Sequence, residues 1–276
     1  MTAVAGDLTT AQAAARSGIH ARKAGFLADL ISVAGRALRS IPREPEAVVP
    51  ALVVPVFFFV VNVGSLQDVT ETRFPGFDFK AFQLPVAIIF AVTGISRAST
   101  LVTDIQSGYF DRLLMTPVRR LALLLGLMVA DFALVVALSV PVVILGLLLG
   151  VEFVTGLAGM VVFILLAGAW GVVFTGFPYA IALKTGNPAA VNSSFILFFP
   201  FAFLTTAFLP REAMTGWLDT IAGYNPVTYL LDGLRALVTE GWVGEDLLQG
   251  VLAVAGVGAV SMTLALLALR GRVRRG

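Results

Sequence analysis

The sequence predicts an all-α integral membrane protein. Three observations predict it: an excess of apolar residues, a shortage of charged ones, and apolar runs of bilayer length. Of the 276 residues, 58% are hydrophobic and 13% are charged, whereas soluble domains have roughly 45–50% apolar and about 25% charged residues. A soluble fold of this size could not hide so much apolar surface from water. We therefore expect lipid to be the solvent for much of a single membrane domain.

Residue types that carry chemistry are scarce, which excludes several classes of protein. The chain has no cysteine, so disulfides, thiolate metal sites and cysteine nucleophiles are excluded. Its single histidine, His20, lies in a polar stretch, and one histidine without cysteine cannot complete a zinc site of the usual ligand count. A net charge of +2 is too small to indicate a nucleic-acid partner. We expect no cofactor or metal on this chain.

Six apolar runs have the roughly 20 residues that a spanning helix needs. They are 47–64, 82–103, 119–149, 156–183, 189–209 and 247–269. Residues 1–24 form a polar tail without an apolar run long enough for a signal-peptide core, so the first span is expected to act as its own insertion signal. Residues 25–276 are accordingly predicted to form one domain with six transmembrane helices.

The basic residues are distributed unevenly about these runs. An even number of spans places both termini on the same side of the membrane. If that side is the cytoplasm, 15 of the 19 basic residues fall in inner segments. Because positive charge resists translocation, the asymmetry predicts that both termini are cytoplasmic.

Residues 25–42 precede the first span and have an amphipathic pattern. Their apolar residues follow helical spacing, while Arg36, Arg39 and Arg43 take the opposite face. This pattern is typical of a helix that lies on the inner membrane surface. Two roles stay open: an anchor that orients the first span, or a lever that also touches a cytoplasmic partner.

The inner loop 103–120 is predicted to contain a short helix. Asp104 is expected to cap it, and Pro117 to end it, because Thr116 is pushed away from helical geometry. Large apolar residues on so short a loop cost solubility unless something covers them. Those residues are Tyr109, Phe110, Leu113 and Leu114. They either fold back onto the bundle or form a knob that docks into another protein, and the capped ends favour a rigid knob.

The outer segment Pro210–Asp246 predicts a pair of short helices. The first has Trp217 and Ile221 on its apolar face, and the second opens with Asn225 as its N-cap and Pro226 in its first position. Both are too short to span a bilayer and too apolar for water. We expect a re-entrant hairpin that dips into the outer leaflet or roofs a cavity.

Two stretches carry a resemblance to a known family. GYFDRLLMTPVRR at 108–120 resembles the coupling-helix signature of type-2 ABC exporter permeases, the group that includes daunorubicin-resistance-like permeases. LPREAMTGWLDTIAGYNPVTYLLDGLRAL at 209–237 resembles the outer helical hairpin of the same family. The resemblance covers nearly the whole chain and joins both stretches at matching positions of a six-span protein.

The resemblance implies a division of labour between subunits in a bacterial cell (inner) membrane. Two such permeases, or one and a similar sister, form the path for a drug, lipid or glycan-linked molecule. Two cytoplasmic ATPase subunits, which bind ATP and Mg, drive its export, so the chain is expected to be non-catalytic. Consistent with this, it has no GxxxxGK[ST] phosphate loop. The implied coupling residues are Gly108, Tyr109, Phe110, Asp111, Arg112, Leu113, Leu114, Thr116 and Pro117.

The family's second and fifth spans line a central cavity. The resemblance therefore implies these candidates for the substrate path: Thr93, Ser96, Asn192, Ser194, Phe198, Phe199 and Thr205. Two charged residues, Asp131 and Arg97, lie inside predicted spans. Asp131 either pairs with Arg97 or a backbone group and holds the bundle together, or it faces a wet path; the first is favoured because polar residues in bundles commonly find partners.

Two other functions are alternatives to export. An ion-coupled secondary transporter acting without an ATPase would need intramembrane carboxylates placed for an ion relay, and Asp131 stands nearly alone in the predicted spans. A membrane enzyme acting on lipid would need clustered acids, bases or metal ligands. The sequence favours neither.

Overall fold

The computed structural model describes residues 25–41, 45–93, 96–115 and 120–273. The predicted tail 1–24 lies outside these ranges, within which every regular element is a helix. In chain order the helices are α1 (Phe26–Ser40), α2 (Pro45–Arg73), α3 (Phe79–Thr93), α4 (Ala98–Gln106), α5 (Tyr109–Leu114), α6 (Arg120–Leu148), α7 (Gly156–Thr185), α8 (Pro188–Ser194), α9 (Phe198–Phe203), α10 (Trp217–Ala222), α11 (Pro226–Arg235) and α12 (Gly244–Val273). The interface helix predicted at 25–42 corresponds to α1.

Five helical stretches are long and apolar enough to cross a membrane; the one at 79–106 consists of α3 and α4 and runs over residues 94–95, which lie outside the described ranges. They are Val48–Arg73, Phe79–Gln106, Leu121–Leu148, Gly156–Thr185 and Gly244–Arg272. A 29-residue helix such as α6 is about 44 Å long at 1.5 Å per residue, against about 30 Å of hydrocarbon. Helices of this length must tilt, kink or project beyond the apolar layer. The bounds of the five stretches lie near the predicted ones except that α2 runs nine residues past 64.

The fifth predicted span, 189–209, is not a continuous spanning helix. It consists of α8, a 3₁₀ turn at Phe195–Leu197 and α9, which together cover only Pro188–Phe203. Pro200 has no N–H to offer the carbonyl four residues earlier, and its ring crowds that carbonyl, which favours the break just before it. The stretch still reaches both ends of the bundle. Ser99 Oγ lies 3.3 Å from Asn192 Oδ1 at one end, and Gln83 Nε2 lies 3.2 Å from the Ala207 carbonyl at the other.

The bundle has two ends with separate apolar cores. One end is formed by α1, α4 and α5 and is called the coupling end after the role predicted for its short helix; its core joins Leu101, Phe110, Leu124, Leu183 and Leu269. The hairpin end is defined by α10 and α11. Its larger core includes Trp170, Phe174, Phe198, Leu230 and Leu234. The long helices α6, α7 and α12 run from one end to the other and hold the two in a fixed relation.

Small residues let the central helices approach closely. A Cβ added at Gly171 of α7 would lie 3.0 Å from the Val92 carbonyl oxygen in α3 and 3.1 Å from the Val135 side chain in α6. A Cβ at Gly176 would lie 2.7 Å from Ser261 Oγ in α12. Such contacts are typical of membrane helices, where small residues allow tight backbone packing.

The hairpin end agrees with the predicted pair of short helices. Asn225 caps α11 by accepting from the Val227 N–H at 3.0 Å. Its amide also donates to the Phe201 and Leu204 carbonyls at 2.9 and 2.8 Å, which ties the hairpin to the end of α9. The α-helix ends at Arg235, and the chain continues as a π-helical turn, Ala236–Glu240.

Candidate functional site

The short helix α5 is built differently from the prediction at its start. Gly108 precedes α5 with φ of 69°, a left-handed conformation that suits glycine. Asp104 does not cap α5, because it lies inside α4, which continues to Gln106. The carboxyl group of Asp104 instead meets Arg36 of α1.

The large side chains of α5 divide between the bundle and the surface. Phe110 is 3% exposed and belongs to the core of the coupling end, and Leu113 packs against that core. Tyr109 is 36% exposed, and Met115, just after the helix, is 84% exposed. Phe110 therefore fixes α5 on its own bundle, while Tyr109, Arg112 and Met115 form an outward face.

Two of the implied coupling residues, Thr116 and Pro117, lie outside the described residues. The side chains of Asp111 and Leu114 lie outside them as well, although their backbone belongs to α5. Met115 was missed by the sequence analysis. Its position directly after the apolar pair Leu113–Leu114 was the available signal, since an outward residue is needed where a helix ends on a surface.

Arg36 connects three helices at the coupling end. Its Nη2 donates to Asp104 Oδ2 of α4 at 3.1 Å, and its guanidinium carbon lies 4.9 Å from the centre of the Tyr109 ring. The second distance is within the range of a cation–π interaction. The interface helix α1 is therefore attached directly to both α4 and α5.

A buried polar network, formed by Ser40, Arg97, Asp131 and Tyr179, lies deeper at the same end. Arg97 Nη2 donates to Ser40 Oγ of α1, and the Arg97 backbone N–H donates to Asp131 Oδ1 at 3.1 Å. Tyr179 donates from its hydroxyl to Asp131 Oδ2 at 2.6 Å. Asp131 and Tyr179 are fully buried and Arg97 is 4% exposed. The predicted proximity of Asp131 and Arg97 is present, with a backbone amide as the donor and Tyr179 as a partner that sequence reasoning missed.

The implied path residues do not share one surface of the chain. Four are buried, namely Thr93, Ser194, Phe198 and Thr205, whereas Ser96 is half-buried and Asn192 and Phe199 are exposed. Thr93 accepts from Trp170 Nε1 at 3.0 Å, so its hydroxyl serves the packing of α3 on α7. Phe199, at 52% exposure, is the largest candidate on the surface.

A cavity of about 730 Å³ opens at the hairpin end, with Arg235 at its inner wall. Arg235 donates to the Thr206 hydroxyl at 2.8 Å, to the Thr206 carbonyl at 2.7 Å and to the Phe82 carbonyl at 3.3 Å. Its guanidinium carbon lies 3.6 Å from the centre of the Phe82 ring. Burial lowers the pKa of Arg235 to about 10, so the guanidinium stays charged at neutral pH. Burial also raises the pKa of its partner Asp232.

Three proteins that are similar in sequence to this chain are named as permeases. The daunorubicin resistance ABC transporter permease protein DrrB1 of Streptomyces coeruleorubidus is 27% identical over 244 residues, 86% of this chain and 83% of that protein. The probable doxorubicin resistance ABC transporter permease protein DrrC of Mycobacterium tuberculosis is 25% identical over 84% of each chain. The putative transport permease ycf38 of Cyanophora paradoxa is 24% identical over 78% of this chain and 76% of that protein.

The family comparison covers both the coupling end and the hairpin end. The model of the family described as ABC-2 type transporter matches residues 29–239, which include most of α1, all of α5 and the outer hairpin. The match agrees with the fold: several long apolar helices, a short helix at one end and a hairpin at the other. The chain belongs to the ABC-2 type transporter family and is the membrane-spanning permease of an ABC transporter.

Proposed function

We propose that this permease exports a hydrophobic or amphipathic molecule and is driven by two separate cytoplasmic ATPase subunits. The observation that carries the proposal is the outward face of α5, formed by Tyr109, Arg112 and Met115 on a helix that Phe110 fixes to the bundle. A rigid knob of this kind can transmit a push from a partner without folding away. The partner would supply the ATP and Mg, and a second copy of this chain or a sister permease would complete the path.

Charge supports placing the coupling end in the cytoplasm. Basic residues are frequent at that end: Arg36, Arg39, Arg97, Arg112, Lys184, Arg270 and Arg272. Those at the hairpin end are Arg73, Lys80, Arg211 and Arg235. The positive-inside tendency favours the first end as the inner one. Helices α1 and α12 then bring both ends of the described chain to the cytoplasmic side of the inner membrane.

This orientation requires six passages through the membrane. Five are the long helical stretches, and the contacts of α8 and α9 support the segment between α7 and α10 as the remaining one. The chain from Asn192 to Ala207 passes between the level of Ser99 and the level of Gln83. Its helices are short, so the passage depends on neighbouring helices to cover its irregular backbone, as membrane proteins require. We propose that this broken passage, with Phe199 exposed, faces the substrate path.

Relatives support the class of cargo. Two of them are named for resistance to daunorubicin or doxorubicin, and at 25–27% identity we carry over only a hydrophobic or amphipathic molecule as the proposed substrate. The exposed Phe199 and Asn192 offer such a molecule both an aromatic and a polar contact.

The docking role of α5 is tested by Met115→Asp, with Met115→Leu as the matched control. A carboxylate on the outward face should weaken the apolar contact with an ATPase subunit while leaving the bundle unchanged, because Met115 is 84% exposed. We expect the ATPase to be lost on co-purification and ATP-dependent transport to fall at least tenfold. The Leu variant should retain both.

Replacing Phe110 and Leu113 together by Ala tests the same role from the other side. Loss of these two contacts with the core of the coupling end should release α5 from the bundle and reduce both co-purification and transport. Unchanged binding and transport in this variant and in Met115→Asp would contradict the proposal. So would substrate transport by the isolated permease in vesicles without an ATPase.

A further inference from the structure

A groove of about 470 Å³ lies between the last turns of α7 and α12, at the coupling end. This volume is within the range of about 300–1,000 Å³ that small-molecule sites occupy. The groove is separate from the outward face of α5. Of its lining residues, Leu197 belongs to the broken passage that we propose to face the substrate path, and the others come from α7 and α12.

The walls of the groove change from apolar to cationic along its length. Phe177 and Ile181 of α7 face Leu264 and Leu267 of α12, whereas Lys184 and Arg272 come from the last turns of the same two helices. Phe177 lies seven residues before Lys184, and seven residues of α-helix rise by about 10 Å. The groove is therefore apolar around Phe177 and Leu264, and the two cations lie about that distance further along.

The apolar part is open to the surface of the bundle. Leu264 is 44% exposed and Leu267 is 55% exposed, and Leu197, which also lines the groove, is 51% exposed. Both α7 and α12 are long enough to cross a membrane, so these exposed walls lie on spanning helices, and the inference requires that they face lipid and not the second permease. A molecule that diffuses within the bilayer can enter from the side.

We infer that the groove binds an anionic phospholipid, with its acyl chains on the apolar walls and its phosphate group near Lys184 and Arg272. Basic pockets between membrane helices at the cytoplasmic side are suited to anionic headgroups. The carboxyl ends of α7 and α12 carry partial negative charge that opposes an anion. The two side-chain cations must therefore supply the whole attraction, which makes them decisive for the test.

Other occupants match only part of this arrangement. Inorganic phosphate would gain nothing from the walls of Phe177, Ile181, Leu264 and Leu267. A zwitterionic phospholipid would fill the walls, but its headgroup has no net negative charge to be attracted by the basic end of the groove. The inference depends on the proposed orientation and is independent of ATPase coupling, so the two can fail separately.

The test uses the full-length chain, freed of native lipid in mild detergent, and measures binding of phosphatidylglycerol and phosphatidylcholine by native mass spectrometry. Phosphatidylglycerol should bind about tenfold more tightly or better. Lys184→Gln and Arg272→Gln should each weaken its binding about fivefold, and the double variant about thirtyfold, since each basic residue contributes independently near a membrane surface. Phosphatidylcholine binding should not change.

Arg270→Gln is the matched control, because Arg270 lies on the same helix, is exposed and does not line the groove. It should leave phosphatidylglycerol binding unchanged. Ala268→Phe keeps both cations but fills the groove, and it should lower phosphatidylglycerol binding while folding normally. The inference is overturned if the two lipids bind equally, if Arg270→Gln weakens binding as much as Lys184→Gln, or if inorganic phosphate competes with phosphatidylglycerol.

Discussion

Two buried arginines, one at each end of the bundle, are used in different ways. Arg235 at the hairpin end is 8% exposed and Arg97 at the coupling end is 4% exposed. Arg235 bonds to Thr206 and Phe82, which lie on parts of the chain that pack directly against it. Arg97 reaches Ser40 on the peripheral helix α1, and its own backbone is held by Asp131.

The two arginines therefore differ in what they connect: Arg235 holds its immediate surroundings together, whereas Arg97 joins the core to a peripheral helix. Removing Arg235 would leave the Thr206 and Phe82 carbonyls buried without their donor, so its main effect should be on stability. Arg97 connects the core of the coupling end to α1, and α1 in turn contacts α5 through Arg36. Changes in the contact of α1 with α5 should affect transport more than folding, whereas Asp131, which holds the Arg97 backbone from within the core, should act on stability. The variants below probe this contrast, from the largest expected effect to the smallest.

The largest effect is expected from Arg235→Ala. Removing a charged donor that bonds to buried neutral oxygens costs about 3 kcal/mol, which corresponds to a fall in Tm of roughly 6–12 °C for a chain of this size. Thermal unfolding of the purified permease in detergent measures it. Arg211→Ala is the control on the same hairpin. Its ion pair with Asp219 is exposed, and such pairs contribute about 0–1 kcal/mol. Equal losses of stability in the two variants would contradict a special role of Arg235 in holding the hairpin end together.

A smaller effect is expected from Asp131→Asn, which decides between the two roles left open for Asp131. Both carboxyl oxygens already accept hydrogen bonds and the side chain is fully buried. We expect a loss of about 1–2 kcal/mol in stability with transport per folded complex retained. Ser139→Ala, a buried polar change on α6 whose hydroxyl bonds only within that helix, should cost less. Loss of transport at unchanged stability would instead assign Asp131 to a wet path.

The smallest effect on stability is expected from Arg36→Gln. The ion pair of Arg36 with Asp104 is partly exposed, so its loss should cost about 1 kcal/mol or less. If α1 transmits movement from α5, however, transport should fall severalfold while ATP hydrolysis by the partner continues. Arg39→Gln changes an exposed arginine on the same helix and should leave transport intact. A drop of the same size in both would show that general charge, rather than the contact with α5, is what matters.

The features that the sequence predicted best are those that depend on neighbouring residues in the chain. Asn225 and Pro226 mark the start of α11 because capping involves neighbours in the chain, and the long apolar runs mark four of the five full-length spans closely. The segment 189–209 has the composition of a span, but Pro200 and packing against α11 divide it. Apolar content alone does not report such a break.

The sequence did not predict which residues far apart in the chain contact each other. Arg36 meets Asp104 68 residues away, and Tyr179 meets Asp131 48 residues away. Nothing in the helical spacing of either segment specifies which helices become neighbours. Phe110 illustrates the same limit, since a large apolar residue on a short loop is compatible with docking on a partner or with burial in its own bundle, and only the packing of α4, α5 and α6 selects the second.

The glycine at 171 has a mechanical consequence. Helices that meet with a backbone oxygen 3.0 Å from where a Cβ would stand have no room to turn about their own axes, since close-packed interiors resist small displacements. Helices α3, α6 and α7 are therefore expected to swing together as one stiff block during the transport cycle. Movement during the cycle should then occur between this block and the helices around it, and not within the block.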